Sequence, residues 1–97
     1  MGASYAALMK YDAAIKNYKH VLKIDPNFVD TYFNMGNAQA DKGDLNGAIN
    51  SFKRVVKIDP NKADAYYNMA TALYETNDLA AAIDGFKQAL RIKPDFT

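Results

Sequence analysis

The sequence predicts an all-α solenoid built from stacked helix-turn-helix pairs, and three observations lead to this fold class. The prolines of the chain, Pro26, Pro60 and Pro94, are evenly spaced, and their interval is that of a helix-turn-helix repeat of about 34 residues. Apolar residues within each unit follow helical spacing, as they do over 48–56, so each helix has one apolar side that must meet a neighbour. Side-chain types also recur in register before each proline: Ile24, Ile58 and Ile92; Lys23, Lys57 and Arg91; Lys19, Lys53 and Lys87.

Six helices are expected, and the repeat places them in pairs. The first pair covers about 1–9 and 12–24, the second about 30–42 and 46–58, and the third about 64–76 and 79–92. The first helix is placed by register, because Met1-Gly2 repeats Met35-Gly36. The chain is therefore expected to begin in the middle of a helix.

Turn-forming residues separate these helices. Gly43-Asp44 and Asn77-Asp78 divide the second and third pairs, and the aspartates among them are expected to act as turn and cap residues. Each unit closes with a proline flanked by polar residues: Asp25-Pro26-Asn27, Asp59-Pro60-Asn61 and Lys93-Pro94-Asp95. Proline cannot continue a helix, and it also disfavours helical backbone in the residue before it.

Length and composition bound the function. Ninety-seven residues form one small domain, the formal net charge is +1 and there is no cysteine. Disulfides, thiolate metal sites and cysteine nucleophiles are thus excluded, and no bulk charge favours nucleic acid or membrane. The longest apolar run, 79–83, is far shorter than a membrane span of about 20 residues. No signal pattern opens the sequence, so the cytoplasm is the default compartment.

Catalytic and metal-binding patterns are not found, and neither an enzyme nor a cofactor is expected. His20 has Arg54 and Gln88 in its column, which indicates a solvated position. The stretch 42–53 resembles a calcium loop but carries lysine at its first and last ligand positions, where carboxylates are needed. Ser4 and Ser51 have no base nearby in sequence.

The repeating residues resemble the tetratricopeptide repeat family, whose pattern is a large aromatic, then Leu-Gly, an aromatic, Ala, Phe and Pro at fixed spacings. The matching residues are Met1, Gly2, Tyr5, Ala14, Tyr18 and Pro26 in the first unit; Tyr32, Met35, Gly36, Ala48, Phe52 and Pro60 in the second; and Tyr66, Met69, Ala70, Ala82, Phe86, Ala89 and Pro94 in the third. The resemblance implies one right-handed α-solenoid domain over 1–97. Its units are 1–28, which is incomplete, 29–62 and 63–96.

Four positions depart from that pattern. Gln39 stands where an aromatic is usual, Ala70 replaces glycine, and Met9-Lys10 replace the turn-forming pairs of the later units. The last unit stops at Phe96-Thr97 without a polar capping helix. Solenoids normally need such caps, so we expect either a segment of a longer array or a short protein whose ends stack on each other.

In the family, the first helix of each pair lines a concave groove. The groove residues that this implies are Asp30, Phe33, Asn34, Asn37, Asp41, Asp64, Tyr67, Asn68, Thr71, Tyr74 and Glu75. Acids and aromatics dominate this set. Nine of the twelve cations lie on the second helices or at their ends: Lys16, Lys19, Lys23, Lys53, Arg54, Lys57, Lys87, Arg91 and Lys93. The sequence therefore predicts an acidic groove and a basic back.

Two features of the predicted groove have alternative interpretations. Asn34 and Asn68 share a column and could pair with a peptide backbone, in a way similar to the asparagine ladder of O-linked N-acetylglucosamine transferases, or they are ordinary residues of the repeat. Phe33, Tyr67 and Tyr74 either form pockets and cation–π contacts for a ligand or pack between repeats. A clamp for an acidic chaperone tail is disfavoured, because Asp64 and Asn68 stand where that clamp has cations.

The basic columns at the back could contact an anionic surface such as RNA or lipid headgroups, but they have no interleaved aromatics and fit a solvated face. We therefore expect a non-catalytic protein-interaction module that binds an extended, basic peptide, with no nucleic-acid partner and no membrane insertion. The alternatives are self-association through the terminal repeats and the repeat arm of a larger enzyme such as a glycosyltransferase.

Overall fold

The computed structural model describes residues 5–94, with side chains from Met9 onward. This part of the chain forms five helices: α1 Tyr5–Ile24, α2 Val29–Lys42, α3 Leu45–Ile58, α4 Ala63–Glu75 and α5 Leu79–Ile92. Helices next to each other in sequence pack against each other, and α2 also contacts α4. An all-α fold of stacked helix pairs is thereby confirmed.

The expected break in the first pair is wrong. We predicted separate helices at about 1–9 and 12–24, but α1 runs without interruption from Tyr5 to Ile24. The reason is local, because Met9 and Lys10 are good helix formers and neither provides the left-handed backbone or the cap that a turn requires. The part of the predicted first helix before Tyr5 lies outside the described residues.

The two later turns form as predicted. Gly43 has φ 99° and Asn77 has φ 69°, the left-handed conformation that ends many helices. At the first of these turns the N–H of Gly43 donates to the carbonyl of Ala40, and that of Asp44 donates to Gln39. The same pair of hydrogen bonds recurs one repeat later, at Asn77 and Asp78, so both turns satisfy helix-terminal carbonyls in the same way.

The predicted cap aspartates are confirmed. The carboxylate of Asp44 accepts from the Gly47 N–H at 3.1 Å, and Asp78 accepts from the Ala81 N–H at 3.5 Å. Before the prolines, Asp25 and Asp59 accept from the backbone N–H two residues on. These carboxylates are therefore structural.

The core is formed by buried residues of α3, α4 and α5, with partly buried residues of α2 packed against it. Phe52 and Val55 are the largest fully buried side chains in the described range. α2 approaches α3 closely because Gly36 has no side chain. A Cβ at that position would lie 2.7 Å from Cε1 of Phe52, well inside van der Waals contact. Small residues thus set the distance between the two helices of a pair.

Candidate peptide-binding groove

The predicted groove residues lie on α2 and α4, which run side by side in contact. Between the two helices is an open depression of about 420 Å³. Its lining contains five of the predicted residues, Asn37, Asp41, Asn68, Thr71 and Glu75, together with Ala40, Phe52 and Ala72. We call this depression the α2–α4 groove.

An asparagine pair connects the two helices at this groove. Nδ2 of Asn68 donates to Oδ1 of Asn37 at 3.1 Å, and the contact is partly buried. Asn34, the predicted partner of Asn68 in an asparagine ladder, is exposed and lines a separate depression beside α1. The amide that meets Asn68 in the folded chain is therefore that of Asn37.

Two of the three predicted aromatics pack on rings of the following helix. Phe33 contacts Phe52 edge to face, with centroids 5.9 Å apart. Tyr67 meets Phe86 in the same way at 5.5 Å, one repeat later. Packing within a helix pair thus occupies one side of each ring. Tyr74 differs, since 62% of its surface is exposed.

Two exposed acids, Asp41 and Glu75, line the α2–α4 groove. Asp64 is also exposed, but it lines a separate depression together with Lys62 and Lys93. Asp30 also lies on α2, but its carboxylate is 3.9 Å from Nζ of Lys62. An acidic surface on this side of the two helices is consistent with a cationic ligand.

Sequence reasoning missed Lys62. Its ammonium lies 5.9 Å from the centroid of Phe33 and 3.9 Å from the carboxylate of Asp30, and so places a cation beside two of the predicted groove residues. Phe28 and Phe96 occupy its column, and this departure from the repeat was the signal available in the sequence.

Among the described residues, 5–94, no group of three His, Asp or Glu side chains is placed to hold a metal ion. The one histidine, His20, is exposed. Over the same range, none of the helices combines the length and the apolar character that crossing a membrane requires.

Comparison with known families supports the repeat interpretation. A family model described as "TPR repeat" matches residues 2–43 and again 36–77, and one described as "Tetratricopeptide repeat" matches 63–96. The chain belongs to the tetratricopeptide repeat family. Repeats of this family act as scaffolds for protein–protein interaction, and this chain is a scaffold of that general kind.

Two solved structures show the same fold. Crystal structures of MamA superpose with a TM-score of 0.84 at 39% sequence identity, over 87% and 88% of this chain. The match covers 49% and 46% of the MamA chains, so this tetratricopeptide protein spans about half of their length. The helical solenoid is thereby confirmed.

A curated relative is similar over a shorter stretch. The probable UDP-N-acetylglucosamine–peptide N-acetylglucosaminyltransferase SEC of Arabidopsis thaliana is 41% identical over 46 residues. Those residues are 47% of this chain and 5% of the transferase. The similarity therefore concerns repeats, and the transferase's own activity is a property of that much longer protein.

Proposed function

We propose that the tetratricopeptide module binds an extended, basic peptide in the α2–α4 groove. The observation that carries the proposal is the convergence of Asp41 and Glu75 on one depression with the Asn37–Asn68 amide pair. Carboxylates attract lysine and arginine side chains, while amides offer a donor and an acceptor to a peptide backbone. The groove thus combines charge selection with main-chain contacts.

The positions of these groups suggest which contacts a bound peptide would make along its length. The asparagine pair lies between the two helices, and Tyr74 is exposed farther along α4. A strand laid across α2 and α4 would meet amides at the centre, carboxylates beside them and an aromatic face at its margin. Arginine is the favoured ligand side chain there, because its planar group both pairs with carboxylates and stacks on rings.

The test uses a library of fluorescent peptides with alternating lysine or arginine, and acidic peptides of the same length. Titration should show micromolar binding of basic peptides and none of acidic ones. The double variant Asn37→Ala with Asn68→Ala should weaken binding, and Asp41→Asn with Glu75→Gln should weaken it further. Lys53→Ala with Arg91→Ala, at the back, is the matched control. A loss confined to the control variant would overturn the groove assignment.

A second candidate is self-association through α5. Its outer face exposes Leu79, Ile83 and Leu90 by 48–56%, whereas Ile49, the equivalent of Ile83 on α3, is only 7% exposed beneath the next helix pair. An apolar face of this kind fits another repeat. If α5 mediates self-association, the solution mass of the native chain should grow with concentration, and Ile83→Ser should abolish that growth. If α5 has no such role, Ile83→Ser should not change the solution mass.

The similarity to the Arabidopsis transferase supports a third candidate, in which these repeats present substrates to an attached enzyme. A catalytic domain in the same gene would support this candidate. Peptides that bind the isolated module should then also be substrates of that domain.

A further inference from the structure

A second depression, of about 370 Å³, lies between α1 and the exposed side of α2. It is lined by Lys10, Tyr11, Ala14, Tyr18, Asn34, Asn37, Ala38 and Asp41, and we call it the α1–α2 slot. Ala14 and Tyr18 occupy the columns of Ala48 and Phe52. The later pair is completely buried, whereas the earlier pair is only half-buried.

The opposite wall of the slot shows the same contrast. Ala38 on α2 is half-buried, while its equivalent on α4, Ala72, is 2% exposed. One repeat later, α2 itself packs against α3 and α4 and covers these positions. The slot is therefore the place of a helix equivalent to α2, one repeat earlier.

The described residues before Lys10 do not fill this slot. Lys42, the last residue of α2, pairs with Asp12, so the part of α1 before Lys10 extends past the end of α2. Met9 is 56% exposed. At 1.5 Å per residue, residues 5–9 project by about 7 Å. A straight helix cannot return to the slot beside it.

Register identifies what fits the slot. Residues 1–9 occupy the columns of 35–43, with Met1-Gly2 repeating Met35-Gly36 and Ala6 repeating Ala40. This segment has a sequence that fits a helix in that place, but its described part, residues 5–9, is continuous with the rest of α1 where a turn would be needed. In a second copy of the chain the same segment is free of that constraint.

We propose that residues 1–9 of a second copy occupy the α1–α2 slot, in a reciprocal exchange that forms a two-fold dimer. Because each copy fills the slot of the other, the reciprocal exchange closes after two chains. Antiparallel pairing of the two α1 helices places each amino-terminal segment beside Ala14 and Tyr18 of the other copy. This inference goes beyond peptide binding, although Asn37 and Asp41 line both the slot and the α2–α4 groove.

The first test restores the turn. Met9→Gly with Lys10→Asp introduces the pair found at 43–44 and should let residues 1–9 fold back into the slot of their own chain. Light scattering behind a sizing column, over a wide concentration range, should give twice 10.8 kDa for the native chain and 10.8 kDa for this variant. The control, Met9→Ala with Lys10→Ala, keeps the helix and should remain dimeric.

The second test locates the contact by disulfide trapping, since the chain has no cysteine. Asn37 and Asn68 touch across neighbouring helices, and one repeat earlier these positions are Ala3 and Asn34. On oxidation, a mixture of Ala3→Cys and Asn34→Cys chains should form a disulfide-linked pair containing one of each. With both cysteines in the turn-restored chain, the bond should form within a single chain.

A native mass equal to that of one chain at all concentrations would overturn the proposal, as would a dimer that persists after the turn is restored. Mixed disulfides no more abundant than those of a Lys53→Cys control at the back would do the same. Peptide binding is measured separately on the turn-restored monomer, so that a failure of the exchange and a failure of the groove can be told apart.

Discussion

Oγ of Ser51 donates a hydrogen bond of 2.6 Å to Oε1 of Gln39, joining α3 to α2 inside the core. Both residues are buried, at 3% and 8% exposure. One repeat later the equivalent positions are Gly85 and Leu73, so the same place between two helices is filled once by a polar pair and once by an apolar one. The departure of Gln39 from the family pattern is thus matched by a partner on the following helix.

Removing one member of this pair should destabilise the protein. Ser51→Ala leaves a buried amide oxygen without its donor, at a cost of about 1–3 kcal/mol in the free energy of unfolding. The double variant Gln39→Leu with Ser51→Ala should recover most of that loss, because neither polar group remains. Urea denaturation followed by circular dichroism measures both. Additive losses in the double variant would show that the two side chains are not coupled.

Gly36→Ala tests the close approach of α2 and α3. Alanine is the better helix former by about 1 kcal/mol, but its Cβ would meet the buried ring of Phe52 at 2.7 Å. We expect a net loss of about 1–3 kcal/mol from overpacking. Asn50→Ala, an exposed change on α3, is the control, expected to change stability by no more than about 0.5 kcal/mol. An increase in melting temperature for Gly36→Ala would refute the packing argument.

The two left-handed turn residues should respond differently to substitution. Gly43→Ala forces a side chain into φ 99° and should cost about 1–2 kcal/mol. Asn77→Gly removes such a side chain at φ 69°, and should be neutral or slightly stabilising. Both changes leave the backbone hydrogen bonds of the turn intact. Thermal unfolding of the two variants therefore measures the free-energy cost of a side chain at positive φ. Equal effects would mean that loop contacts dominate.

Lys42 should titrate above the ordinary range of lysine. A hydrogen bond from its ammonium to Asp12, the charge of that carboxylate and the charge of Asp44 together raise the Lys42 pKa. Its contribution to stability is fully present below the pKa of an unfolded lysine, about 10.4, and is lost as the pH rises through the raised folded value. Asp12→Asn should bring the Lys42 pKa down, whereas Asp84→Asn should leave it unchanged. Carbon-13 NMR of the lysine side chains measures both.

The sequence was sufficient to predict the turns and the starts of the helices wherever local residue chemistry and the repeat period agree. Gly43 and Asn77 mark turns by their backbone preference, and Asp44 and Asp78 mark the helices that follow. At Met9 the two signals conflict, because the repeat period calls for a turn that the residues there cannot form. Local chemistry prevails in the structure, and the helix continues.

The groove was predictable as a set of residues but not as a set of contacts. Register relates equivalent positions, such as Asn34 and Asn68, whereas neighbours across α2 and α4 are offset from that register, as Asn37 and Asn68 are. The contact between the rings of Phe33 and Phe52 was not predictable for a similar reason. The sequence shows that each side chain is aromatic but not which neighbour it contacts. Which positions touch is decided by the angle and distance between the helices.

Each helix of this chain contacts mainly those just before and after it, and the contacts that hold one pair together recur in the next, as the edge-to-face rings show. An added unit of one repeat length, placed between Pro60 and Ala63, would meet surfaces of a kind already present on both of its sides. Duplication of one segment of the gene can therefore lengthen the array, and with it the groove, without requiring a new type of interface to arise by mutation.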